Sequence, residues 1–235
     1  MASADWTELS DALATASLRR NVTPGITPPN GGGSFVYGFN SLDVSEGAAG
    51  LFCNGASFAP MASGGQITGC LQRGAGGGPQ GFAPMLFLGL QGVSVNDEGY
   101  LLGLSDGDPG RIMLKKGVLS AGLEDLEPDP TNNGVLRRST RTVAIGEWVH
   151  LRLDMIVNAT GDVVLKVYEN DLAANPLSGA ASWAAVAGMD DFIDDNLQVA
   201  TGSAPFTSGR GGFGFQTADV TRRGYVDHLT LERQL

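Results

Sequence analysis

Residues 147–168 read EWVHLRLDMIVNATGDVVLKVY. Val149, Leu151, Leu153, Met155 and Val157 alternate with Trp148, His150, Arg152, Asp154 and Ile156, a period of two held over ten residues. Successive strand side chains point to opposite faces, so this pattern is a strand with one apolar face. Asn158-Ala159-Thr160-Gly161 then supplies residues that favour turns. Val163, Leu165 and Val167 resume the alternation with Lys166 on the other face. The stretch predicts a long β-hairpin from 147 to 168.

Outward from this hairpin, everything after Ser34 is a series of short apolar runs broken by Gly, Pro, Asn and Asp. Candidate strands cover 34–39, 49–53, 66–71, 83–90, 91–95, 99–104, 111–114, 135–144, 147–157, 162–168, 212–216 and 223–233. About a dozen strands without interleaved long helices predict a sandwich of two antiparallel sheets, not a parallel βαβ sheet. In the last run Tyr225, Asp227, Leu229 and Leu231 are expected on one face, with Asp227 accepting hydrogen bonds from backbone or arginine. Residues 120–126 are expected to hold a helical turn and 181–195 a short helix. Residues 1–33 read as an arm: Trp6, Leu9, Leu13 and Ala16 fall at helical spacing, and Arg19 and Arg20 follow where a helix dipole favours cations. The linker PGITPPNGGG at 24–33 cannot continue a helix. The expected organisation is therefore an arm and linker, 1–33, and one sandwich domain, 34–235.

Composition narrows the function. The chain has 235 residues, 35 of them Gly, and only 17% are charged, with a net charge of −10. A duplex-binding patch needs clustered Lys and Arg, so a nucleic-acid partner is not expected. No run of 18 apolar residues suggests a membrane helix. The first residues carry neither an early positive charge nor an apolar core, so no secretory leader is expected. In that setting Cys53 and Cys70 are expected as reduced, buried thiols, and the matches to the glycosylation pattern at Asn21 and Asn158 carry little weight. With two Cys, two His and no C-x-x-C, no metal cage and no cofactor is expected.

The motifs that carry chemistry are sparse. The glycines at 209–214 precede a β-like run instead of the helix N-terminus a dinucleotide needs, so they read as a structural turn. Glu124, Asp125, Glu127 and Asp129 are the nearest approach to a hydrolytic carboxylate pair, but Pro128 and Pro130 interrupt them. Asp190, Asp191, Asp194 and Asp195, and Asp106 with Asp108, read as solvated loops or an interface, with Ca²⁺ as the alternative. His150 and His228 sit on strand-like runs without a nucleophile elbow, and packing is their expected role. No catalytic residue is assigned, and the protein is not expected to be an enzyme. Arg137, Arg138, Arg222 and Arg223 lie in and beside strands of an acidic chain and are candidate interface residues, with Trp6, Leu9 and Leu13 of the arm. Trp183 and Tyr100 are the aromatics least committed to apolar patterns, hence candidates for stacking on a ligand ring.

Two resemblances add to this reading. The stretch from Gly146 to Tyr168, with its Gly-x-Trp opening, resembles the central hairpin of concanavalin A-like (laminin G-type) sandwiches. Gly209 to Phe215 followed by Arg223-Gly224-Tyr225-Val226-Asp227-His228-Leu229 resembles that family's closing strands. The match covers roughly 140–235 and implies a jelly-roll sandwich, without mapping sugar-binding or Ca²⁺ residues. More loosely, residues 135–140, 148–154, 161–165, 168–172 and 188–202 resemble structural proteins of tailed-bacteriophage virions. That resemblance implies a non-enzymatic assembly subunit of a contractile tail or baseplate. Its partners would be other copies of itself and other virion proteins, its docking element the N-terminal arm, and its location the virion, after assembly in the host cytoplasm. The alternative is a lectin-like carbohydrate-binding module with a glycan as ligand.

Overall fold

The structure, a computed structural model, describes residues 6–10, 17–20, 29, 37–40, 47–53, 64–74, 82–107, 109–195, 203–217 and 223–233. They form two antiparallel sheets packed face to face. One runs in the order Trp6–Ser10 (β1), Gly47–Cys53 (β4), Arg210–Thr217 (β14), Phe82–Leu90 (β6), Glu98–Leu104 (β7), Gly110–Val118 (β8), Val135–Val143 (β9). The other runs Trp183–Ala185 (β12), Val163–Asn170 (β11), Trp148–Val157 (β10), Gly64–Arg73 (β5), Arg223–Arg233 (β15), Tyr37–Asn40 (β3), Ser17–Arg20 (β2). Phe192–Asp194 (β13) also pairs with β11. The chain is thus an all-β, concanavalin A-like sandwich. Among the described residues the one helix is the 3-10 turn Leu119–Ala121, which overlaps the expected 120–126 turn only at 120–121, and no helix is long and apolar enough to cross a membrane.

The 147–168 hairpin forms as its alternation predicts. Leu153 lies opposite Val167 and Met155 opposite Leu165, and Val149, Leu151, Leu153, Met155, Val163, Leu165 and Val167 enter the central core. Leu86, Leu88, Tyr100, Leu102, Ile112, Leu114, Phe213 and Phe215 meet them from the other sheet. The continuous apolar run of β6 has a separate cause. Met85 and Phe87 alternate with Leu86 and Leu88 and enter a second buried cluster with Leu101, Met113, Leu119 and Leu123. The 119–123 segment therefore covers the back of this sheet, and a strand buried on both faces loses its alternation.

Four expectations need correction. Trp6–Ser10 and Ser17–Arg20 are strands, paired with β4 and β3, not one helix; residues 11–16, with Leu13, lie outside the described residues. The helical spacing there was outweighed by pairing at the open sheet edges. Residues 91–95 are not a strand but part of the β6–β7 connection, where Ser94 N–H donates to Asp97 Oδ2 at 2.7 Å. The short helix expected within 181–195 is replaced by β12 and β13, separated at Gly188, whose φ of 83° no helix accepts. A Cβ on Gly188 would stand 2.9 Å from Thr140 N. Finally, β15 carries a bulge between Asp227 and Thr230, with His228 at φ 50°. The bulge inverts the face assignment: Val226, Leu229 and Leu231 pack on the core, while Tyr225 and Asp227 stand on the outer face.

Candidate functional site

The outer face of the β12-β11-β10-β5-β15 sheet carries the polar and aromatic half of each alternating strand. The registers place Trp183, Asn170, His150, Cys70 and Asp227 in one row across five strands. Trp148, Gln72 and Tyr225 form the next row. His150 is only 3% exposed. Its ring lies 4.6 Å from that of Trp183 and 5.8 Å from that of His228. Trp148 and Tyr225 are 6.5 Å apart. The guanidinium of Arg152 lies 4.6 Å from the Tyr168 ring and 5.7 Å from the Trp183 ring, and Asp154 holds it through two bonds of 2.8 and 2.6 Å.

Asn170 joins this face to the adjoining loop. Its Oδ1 accepts from Ser182 N–H at 2.8 Å, and its Nδ2 donates to the Asn175 carbonyl at 2.9 Å. With the amide oriented by these two backbone partners, Nδ2 also faces His150 Nδ1 at 3.3 Å. His150 Nδ1 must then be the acceptor, and the neutral ring carries its proton on Nε2. Burial, reinforced by His228, pushes His150 down to about 4. Burial raises Asp227 while His228 opposes, and burial followed by Asp227 raises the Cys70 thiol. Cys70 is free and buried. The side chain of Cys53, on β4, lies outside the described residues.

At the end of this face, where β10 begins and β11 ends, a groove of about 920 Å³ opens. Trp148 forms one wall, and the loop after β11 forms another with Asn170, Asp171, Asn175 and Ser182; Ala184–Ala187 continue the lining. The loop is shaped by its own polar residues: Asn175 N–H donates to the Asp171 carbonyl at 2.7 Å, and Ala173 N–H to Asp171 Oδ1 at 2.9 Å. Arg141, Glu147 and Glu169 close the groove against the second sheet. Arg141 Nη2 lies 2.5 Å from Glu147 Oε1 and 3.1 Å from Glu169 Oε1. Burial raises Glu169 above its ordinary value; Arg141 opposes this, and Glu147 and Asp171 add to it.

The residues singled out from sequence are dispersed. Trp183 stands on the outer face, half-buried over His150. Tyr100 is not an available ring but a fully buried one, because the pattern around it is core. Its hydroxyl donates to Asp194 Oδ2 at 2.6 Å and accepts from Phe206 N–H at 3.0 Å. Lys116 Nζ reaches the same oxygen at 2.7 Å, both side chains at 0% exposure, and also donates to the Ser203 and Ala204 carbonyls. Arg137 is spent within the chain on the Asp190 and Asp191 carbonyls and lies over the Phe192 ring. Arg138 pairs with Asp125 and Glu127. Arg223 opens β15, Trp6 and Leu9 lie on β1, and Arg222 falls outside the described residues. The aspartate cluster is likewise divided between Arg137, Lys166 and the buried Lys116. Among the described residues no group of three or more His, Cys, Asp or Glu converges to hold a metal ion. Sequence reading missed Arg141, Glu147, Trp148, Glu169 and Asn170 as a group. The predicted hairpin brings the start of one strand beside the end of the other and so signalled Glu147 and Trp148 beside Glu169 and Asn170; Arg141, on β9 of the other sheet, had no such signal.

Neither a protein-family model nor a curated protein sequence matches the chain. Solved structures do. A carbohydrate binding module, CBM66 from Bacillus subtilis, superposes with a TM-score of 0.53 at 12% identity, over 97% of this chain and 95% of that one. The PL-14 alginate lyase of Aplysia kurodai gives 0.50 at 10% identity, over 86% and 84%. The carbohydrate recognition domain of Emp47p gives 0.49 at 11% identity, over 99% and 90%. At these identities the likeness is one of fold: this chain is built on the same β-sandwich as the module and the lyase.

Proposed function

We propose that the protein is a non-enzymatic carbohydrate-binding module whose ligand lies in the groove beside Trp148. The observation that carries this is the groove itself. An aromatic wall, one backbone-oriented amide and carboxylates line one open cleft of about 920 Å³, and sugars are held by ring stacking together with a few fixed polar groups. The similarity in fold to a carbohydrate binding module supports the same reading. A binding role suits the carboxylates, because Glu147 and Glu169 share one guanidinium instead of standing apart as acid and base. Of the residues expected to serve assembly, Arg137 and Arg138 are engaged within the chain, and Trp6–Ser10 is a strand of the chain's own sheet.

A glycan array with the full chain, followed by calorimetry on the best ligand, tests the reading. Trp148→Ala is expected to weaken binding at least tenfold, and Trp183→Ala by about threefold through the loosened β12 edge, with the fold retained by circular dichroism. Glycan affinity unchanged in Trp148→Ala would place the site elsewhere.

A further inference from the structure

Resting on the carbohydrate reading, the lining of the groove also sets the charge of its ligand. Arg141 is the one basic residue among those that line it, against Glu147, Glu169 and Asp171. Its charge is already engaged, although 34% of its side chain stays open. Nη2 is shared by two carboxylates, and Nη1 is closed off from solvent, with no partner among the described residues. An anionic sugar therefore meets one guanidinium already shared by two carboxylates, and three carboxylates that repel it, on a chain whose net charge is already −10. Three carboxylates against one guanidinium leave a surplus of negative charge. Glu169 keeps 20% of its side chain open, and Asp171 is exposed. Burial and the neighbouring carboxylates raise Glu169, so a cation placed beside it relieves repulsion that the empty groove retains.

We propose that the groove selects glycans bearing free amino groups, a glucosamine-type polymer, over their neutral and uronic counterparts, with Glu169 and Asp171 receiving the ammonium and Trp148 the ring face. Charge-assisted hydrogen bonds to a partly buried carboxylate exceed those to a neutral acceptor, while an exposed carboxylate adds little.

The test is calorimetry on the full chain at pH 6, where the sugar amines are protonated. The probes are a β-1,4-glucosamine hexamer, its fully N-acetylated form and a uronic acid hexamer. The glucosamine hexamer is expected to bind about tenfold tighter than the N-acetylated form, with affinity falling as salt rises, and the uronic hexamer not at all. Glu169→Gln is expected to remove most of that preference, so that the ratio of the two affinities falls toward one. Asp171→Asn, at an exposed position with no demand from Arg141, should remove part of it and guards against a folding defect in the first variant. Equal affinity for the two forms, or preference for the uronic hexamer, overturns the charge assignment and leaves the carbohydrate reading standing. Failure of all three probes, with no hit on the array, overturns both.

Discussion

At the scale of single residues, the buried Lys116–Asp194 pair has the largest consequence. Lys116 comes from β8 in one sheet, and Asp194 from β13, which pairs with the other. Its ammonium donates to one carboxylate oxygen and two carbonyls and lies 4.6 Å from the Phe206 ring. Such a pair offsets its own desolvation only while complete. Lys116→Ala leaves Asp194 charged in an apolar interior and is expected to cost about 3–5 kcal/mol, read from the urea midpoint. The double change Lys116→Met with Asp194→Leu is expected to recover only part of that loss: neither charge is then stranded, but the Tyr100 hydroxyl loses its acceptor. A single variant as stable as the parent would contradict this account. Gly209 matters for a different reason. A Cβ there would lie 2.5 Å from the Gly89 carbonyl carbon, and its φ is 143°. The glycine-rich run at 209–214, expected as a structural turn, is instead mostly strand, since β14 begins at Arg210; Gly209 itself is required by the close approach of the Gly89 backbone.

At the scale of elements, the loop after β11 is held against the groove by one side chain. Asn170 ties it at both ends, through Ser182 N–H and the Asn175 carbonyl. Asn170→Ala is expected to cost about 1–3 kcal/mol and to speed hydrogen exchange at Ser182, a local change that exchange measurements resolve. His150 adds a pH dependence. Its folded value is depressed to about 4 from an ordinary 6.5, chiefly by burial. The unfolded chain therefore binds the proton first as pH falls. The stability this residue contributes is present above pH 6.5 and is lost progressively down to about pH 4, about 3 kcal/mol in all. Urea titrations across that window should show the slope, and His150→Phe should flatten it. Protonation would also set a donor against Asn170 Nδ2, so the loop is expected to loosen in the same range.

At the scale of the whole molecule, the two sheets end in strands contributed by the first 20 residues: β1 borders β4, and β2 borders β3. Deleting residues 1–33 would uncover both edges. The expected outcome is a lower urea midpoint and concentration-dependent association by light scattering, since unpaired edges recruit other chains. An equally stable monomer after truncation would mean that these strands add nothing to the sandwich. The fold-level likeness to a carbohydrate binding module bears on architecture, and the groove's own residues bear on function.

What the sequence determined by itself was the class of fold and its central hairpin. Alternation is a local property, and a strand with one wet face displays it wherever it packs, as 147–168 does. Three things were decided only in the folded molecule. Tyr100 looked available because one aromatic in an apolar run carries no mark of its depth; the packing of two sheets buried it. The face of β15 was misassigned because one bulged residue, His228, reverses a period of two, and nothing in local alternation announces a bulge. The groove joins Arg141, Glu147 and Glu169 from three strand ends. Residues so far apart in the chain become neighbours through register and sheet packing, which are long-range properties that no local pattern encodes.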